Sequence, residues 1–314
     1  MEITNRLDGP MGYVHVEQRE DNPLNRDEVV ARLRDEWRLR QEAILSLPSD
    51  ETGLQLDRVY AFWQRVGTSR RAIRFLQPPD FRGVQMMVDA SEKAGGAFLL
   101  EEDMIIMQRG NAHEQLNGPE LTESFVVHEE THAEATLLKL LGVASYNAYS
   151  TPEEEMIDVW AEHERAGFIV RSPDGTLQGV LPEEGLGELI RGIYVVEQLD
   201  RPEGFAGRLH PDKPGLADKY GYWTRSSESE EPHKAFAQGL IGALIFDHLI
   251  GKDPNLFPAL LGARHTYEAL EEMEGRLNTL VPSLYQDMMA VDMTTKRGQQ
   301  TAPQLFKKVL ALTT

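Results

Sequence analysis

Apolar residues first recur at helical spacing after Asn25 and Glu28, a capping-box pair. Val29, Leu33, Trp37 and Ile44 come next, and they predict a long amphipathic helix to about Leu47. Residues 48–53 break the pattern, and Leu54 to Val66 reads as a second helix ending at Gly67. After Pro78-Pro79 the apolar runs shorten. Val84 to Val88, Ala97 to Leu100 and Met104 to Met107, the last two separated by Glu101-Glu102-Asp103, predict a small antiparallel sheet. A polar loop over 110–119 then leads into a helical pattern from Leu121 to Leu141, closed by Gly142. Thr151-Pro152, an N-cap followed by proline at the first helical position, opens another helix running to about Gly167.

Beyond it, Phe168 to Val170 and Leu177 to Leu181 flank Ser172-Pro173-Asp174-Gly175, whose turn chemistry predicts a hairpin. Further helical patterns cover 185–199, 232–250, 266–280, 283–291 and 303–312. The Gly/Pro/Ser-rich stretch 201–231 is a long loop and a candidate lid. The pattern as a whole predicts an α+β chain, mainly helical, with a small sheet ahead of one central helix and a helical C-terminal lobe. Its expected organisation is an N-terminal helical region over 1–83 and a second unit over 84–314. Within the second unit, 84–167 carries the sheet and central helix and 168–314 the helical lobe.

Charge sharpens this picture. The 314 residues carry 32 Lys+Arg against 51 Asp+Glu, a formal net charge of −19. Between Asp89 and Arg165 there are 17 carboxylates and four basic residues, whereas six arginines lie between Arg58 and Arg82. So acidic a surface repels phosphate backbones and anionic headgroups; nucleic-acid and membrane partners are not expected, and basic partners are favoured. At 41% hydrophobic the chain can bury a core. It has no cysteine, so any metal must be held by His, Asp or Glu. The first twenty residues lack the basic start and apolar core of a secretory signal. The strongly apolar run from Gly239 to Phe246 is too short to span a bilayer. A cytoplasmic location is the default expectation, with signal-independent export as the alternative.

One motif carries chemistry. Phe125 to Ala133 reads F-V-V-H-E-E-T-H-A and contains His128-Glu129-Glu130-Thr131-His132, an H-E-x-x-H pattern. On a helix, residues i and i+4 project from one face, so two imidazoles can reach one Zn²⁺ at about 2.0–2.1 Å each. Glu129 then lies beside the metal without binding it, placed to take a proton from water. A catalytic zinc wants a third protein ligand. Glu153-Glu154-Glu155-Met156-Ile157-Asp158 offers candidates 21 to 23 residues after His132.

With these residues the chain resembles the gluzincin metallopeptidases, the thermolysin-like side of the zincin clan. The resemblance spans roughly residues 84–167 and implies a zincin-like fold and zinc-dependent hydrolysis of peptide bonds in a peptide or protein substrate. It implies a glutamate ligand on the following helix and, one turn later, an aspartate that orients the first histidine. Of the three glutamates, only Glu154 has an aspartate at +4, Asp158, so the resemblance selects Glu154 as ligand with His128 and His132, Asp158 as orienter and Glu129 as general base. Glu153 and Glu155 are the alternative ligands. Thr151-x-x-Glu154 is also a capping box, which would give Glu154 a structural role. The resemblance further places the edge strand, where an extended peptide would pair, near Met104 to Met107. No oxyanion-stabilising residue is assigned among Tyr146, Tyr149, His233, His248 and His265. The contrasting reading is a zinc-binding or protein-interaction module without catalytic activity.

Overall fold

The computed structural model describes residues 5–6, 13–17, 26–66, 72–88, 95–99, 102, 104–110, 114–115, 118–133, 137–143, 159–171, 177–199, 233–265, 267–292 and 295–313. They form a mainly helical α+β structure with two sheets. The N-terminal helices α1 (Arg26–Ser46) and α2 (Leu56–Val66) stand where the periodicity puts them. Next come strand β3 (Ala72–Leu76), helix α3 (Pro78–Met87), and strands β4 (Gly96–Leu99) and β5 (Met104–Gln108). Strands β1 (Asn5–Arg6) and β2 (Tyr13–Glu17) precede all of these.

This first sheet, β3-β5-β4, corrects three expectations. It is mixed, because β3 runs parallel to β5 and β4 antiparallel to it. Val84 to Val88 belongs to the end of α3 and not to a strand: Pro78-Pro79 opens that helix, since proline's fixed φ suits the first turn and its missing N–H would be unpaired there anyway. Met104 to Met107 is the central strand and not an edge; the edges are β3 and β4. Four consecutive buried residues in β5 reflect cover on both faces. Ile105 and Met107 join the main core with Ile73, Phe75, Phe62 and Trp63. Met104 and Ile106 join a second core with Ile44, Phe81 and Val84 from α1 and α3. Through this sheet the chain before residue 84 shares its packing with the chain after it.

Helix α4 (Pro119–Ala133) carries the H-E-x-x-H motif. It stops earlier than the periodicity predicts: residues 137–143 form strand β6 (Leu137–Val143), which pairs with β2 in parallel and with β7 (Val159–Ala166) antiparallel. The leucine-rich run 137–141 suits either structure, and strand pairing decides it. The same pairing makes residues 159–166 strand, against the helix that the sequence pattern predicts. Strands β8 (Ile169–Arg171) and β9 (Leu177–Gln178) form the predicted hairpin and complete a six-stranded sheet, β1-β2-β6-β7-β8-β9.

The rest is helical: α5 (Val180–Leu199), α6 (His233–Ile250), α7 (Leu256–Gly262), α8 (Tyr267–Leu280), α9 (Leu284–Met289) and α10 (Lys296–Thr313). α5 starts five residues before the expected Gly185, α7 has no counterpart in the sequence pattern, and α10 runs through Pro303. The candidate lid over 201–231 lies outside the described residues. α5 packs between α4 and α6, and no helix among the described residues is long and apolar enough to cross a membrane.

Candidate metal centre

The centre is built where α4 and α5 meet. α4 is buried on nearly every side, from Thr122, Glu123 and Ser124 through Val126, Val127 and His128 to Glu130, Thr131 and Ala133. A helix in that position shows no single apolar stripe, and its polar residues need partners within the fold. His128 and His132, one turn apart, bring their Nε2 atoms to 3.0 Å, with ring planes at 77°. Glu184 of α5 closes the group: its Oε2 lies 3.2 Å from His128 Nε2 and its Oε1 3.7 Å from His132 Nε2. α5 comes this close because residue 187 is glycine, since a Cβ there would sit 2.8 Å from His128 Cε1.

Each ring has a carboxylate behind it. His128 Nδ1 is 3.1 Å from Glu188 Oε1, and His132 Nδ1 is 3.1 Å from Glu183 Oε1. The His128–Glu188 approach is close but not aligned as a straight hydrogen bond. Both carboxylates have a buried guanidinium: Arg191 Nη1 lies 3.0 Å from Glu188 and Arg264 Nη2 2.8 Å from Glu183. Burial alone would raise both acids; the arginines and histidines outweigh it and bring each pKa down to about 2. Glu184 is also lowered, burial being overcome by the charges of His132 and His128. In turn, burial would lower the imidazoles, but Glu184 and Glu188 hold His128 well above its usual value, and Glu184 and Glu183 raise His132.

This donor set fits a cation. Carboxylates facing Nδ1 can only accept, so each neutral ring keeps its proton on Nδ1 and turns the Nε2 lone pair inward. Two ring nitrogens and a carboxylate then share one focus, which a metal ion could fill. Atoms bound at about 2.0–2.1 Å around one tetrahedral centre lie roughly 3.4 Å apart. The two Nε2 atoms are 3.0 Å apart, and one ligand atom from each of the three residues lies within 4.8 Å of the other two. The charge fits as well: Arg191 and Arg264 offset Glu188 and Glu183, which leaves the carboxylate of Glu184 to meet the ion. Side-chain exposures of 31% for Glu184 and 17% for His132, against 9% for His128, put the open side at Glu184 and His132. Thus His128, His132 and Glu184 could hold a metal ion.

The remaining predicted residues lie elsewhere. Glu129 is half-buried and faces the sheet, its Oε2 accepting the Phe98 N–H of edge strand β4 at 3.1 Å. Glu154 and Asp158, with Glu153, Glu155, Tyr146 and Tyr149, lie outside the described residues, as does the side chain of His233. His248 pairs with Thr313 at 2.7 Å and His265 sits exposed after α7; neither belongs to the described group. Among the described residues, the carboxylates that face His128 and His132 include Glu184 and Glu188, the former 52 residues beyond His132. A signal is present in the sequence, because Glu184-x-x-x-Glu188 has the same one-turn spacing as Glu154-x-x-x-Asp158. It is missed when only aspartate is accepted at +4 and when 177–181 is read as strand up to the start of a helix at Gly185. Comparison with protein-family models, with curated proteins and with solved structures finds no match to this chain.

Proposed function

We propose that the protein is a zinc-dependent hydrolase of peptide bonds, with zinc held by His128, His132 and Glu184 on a zincin-like arrangement of helix and sheet. The observation that carries this reading is the convergence of three metal-ligating atoms, from two packed helices, at an H-E-x-x-H motif. A purely structural zinc site takes four protein ligands, whereas a catalytic one takes three and keeps a position open. Among the described residues the group has three members and an exposed side.

When bound, the ion would supply Lewis-acid polarisation of a carbonyl and a lowered pKa for water. The chain's own residues do the rest. Glu129, next to His128 in sequence, is the base the motif supplies: turning from the Phe98 N–H that holds it in this structure, it would take the proton of the attacking water and return it to the leaving nitrogen. Among the described residues β4 is an edge of the β3-β5-β4 sheet and lies alongside Glu129, so an extended substrate would reach the centre along this strand, where the Phe98 N–H already has Glu129 as its partner. The acidic surface favours peptides with basic residues.

The experiment is hydrolysis of a pool of quenched fluorescent peptides by zinc-loaded wild type and Glu129→Gln. The variant is expected to keep its metal and lose activity by about 10²-fold or more. An equal rate in the two proteins contradicts the assignment. Zinc bound by a wild type that cleaves nothing supports instead a binding module without catalysis.

A further inference from the structure

Two buried arginines stand behind the metal centre, and they reach it differently. Arg191 lies on α5 itself, three residues from Glu188, with Ser124 and the face of Phe125 as its other partners. Arg264 comes from the turn after α7, 81 residues from Glu183. Its Nη2 donates to Glu183 Oε1 at 2.8 Å and also to the carbonyl of Thr131, the residue before His132. That carbonyl belongs to the last turn of α4, where backbone acceptors lack helical partners. One guanidinium therefore caps the histidine-bearing helix and neutralises the carboxylate behind its second histidine.

Glu183 is held as firmly as it holds. Its Oε2 accepts the Phe168 N–H at 2.9 Å, while its Oε1 serves both His132 Nδ1 and Arg264. The turn that delivers this N–H needs Gly167: its φ is +60°, and a Cβ there would lie 2.3 Å from Glu183 Oε2. The carboxylate is thus locked between α4, the turn before β8 and the turn after α7. Outer partners of this kind set the tautomer and orientation of a ligating imidazole.

We propose that Arg264, acting through Glu183, is a positioning residue for the metal centre, by which the C-terminal helices set the orientation of His132 and the affinity for metal. The proposal rests on the metal reading of His128, His132 and Glu184. A guanidinium that serves only to cap α4 would lower stability when removed and leave the affinity of the folded protein unchanged.

The test uses the full chain with Zn²⁺ and a competing chromophoric chelator. It compares wild type, Arg264→Met and Arg264→Lys, with folding checked by circular dichroism and the histidine side chains followed by ¹⁵N NMR. Arg264→Met is expected to bind Zn²⁺ about 10- to 100-fold more weakly. Arg264→Lys is expected to recover part of the loss, with the His132 ring resonances moved and those of His128 unmoved. A folded Arg264→Met with wild-type affinity and unchanged His132 signals overturns this proposal alone. A wild type that binds no Zn²⁺ overturns it together with the metal reading. Should Arg264→Met fail to fold, Glu183→Gln decides by the same criteria, since it keeps the size of the side chain and removes the charge.

Discussion

Gly187 sets how closely α5 can approach the His128 ring. With a Cβ at 2.8 Å from Cε1, alanine would force that ring out of the line it shares with His132 and Glu184. Alanine is otherwise favoured over glycine inside a helix by roughly 0.5–1 kcal/mol. Gly187→Ala is therefore expected to leave the metal-free melting temperature little changed and to weaken Zn²⁺ binding by about tenfold or more, the scale seen when ligand orientation is disturbed. Calorimetric titration checks this, and equal affinity would show that the ring has room to yield. Single residues also mark how far the site is legible in the sequence. His128, Glu129 and His132 can be read because their spacing alone puts them on one helix. Glu184 lies 52 residues away from His132, and only the packing of α5 on α4 brings it in.

Between elements, α2, α4 and α5 are joined by a buried polar cluster. Glu123 accepts from Arg58 Nε at 2.6 Å, from the Gln55 N–H at 2.8 Å and from the Tyr194 hydroxyl at 3.0 Å. Tyr194 is fully buried, with its ring against Phe62. Burial, and then the charge of Glu123, push its pKa well up from the ordinary value of about 10. A raised folded-state pKa means that this stabilisation is complete below pH ~10 and is lost as pH climbs above it. Alkaline ultraviolet titration of the nine tyrosines should show one that ionises only with unfolding and is missing from Tyr194→Phe. An identical late phase in the variant would contradict the assignment. Element identity is readable where one face is polar, as in α1 and α2. It is obscured where both sides are covered: the apolar start of α5 passes for strand, and the leucine run of β6 reads as helix until its strand partners are known. The parallel pairing of β3 with β5, 32 positions apart in register, leaves no local trace.

Over the whole molecule, the formal charge of −19 speaks first of partners and only then of chemistry. At the centre it is organised: Glu183 and Glu188 are matched by Arg264 and Arg191, while Glu184 shares its focus with two imidazoles. A metal bound only by the folded chain adds stability in proportion to the logarithm of its concentration over Kd. Removing it should therefore cost the protein thermal stability. Whether His128, His132 and Glu184 are the ligands is decided by zinc content after dialysis against a mild chelator. Untagged wild type, Glu154→Gln and Glu184→Gln are measured side by side. One zinc per chain is expected in wild type and in Glu154→Gln, and none in a folded Glu184→Gln; zinc retained by Glu184→Gln and lost by Glu154→Gln would contradict this ligand set.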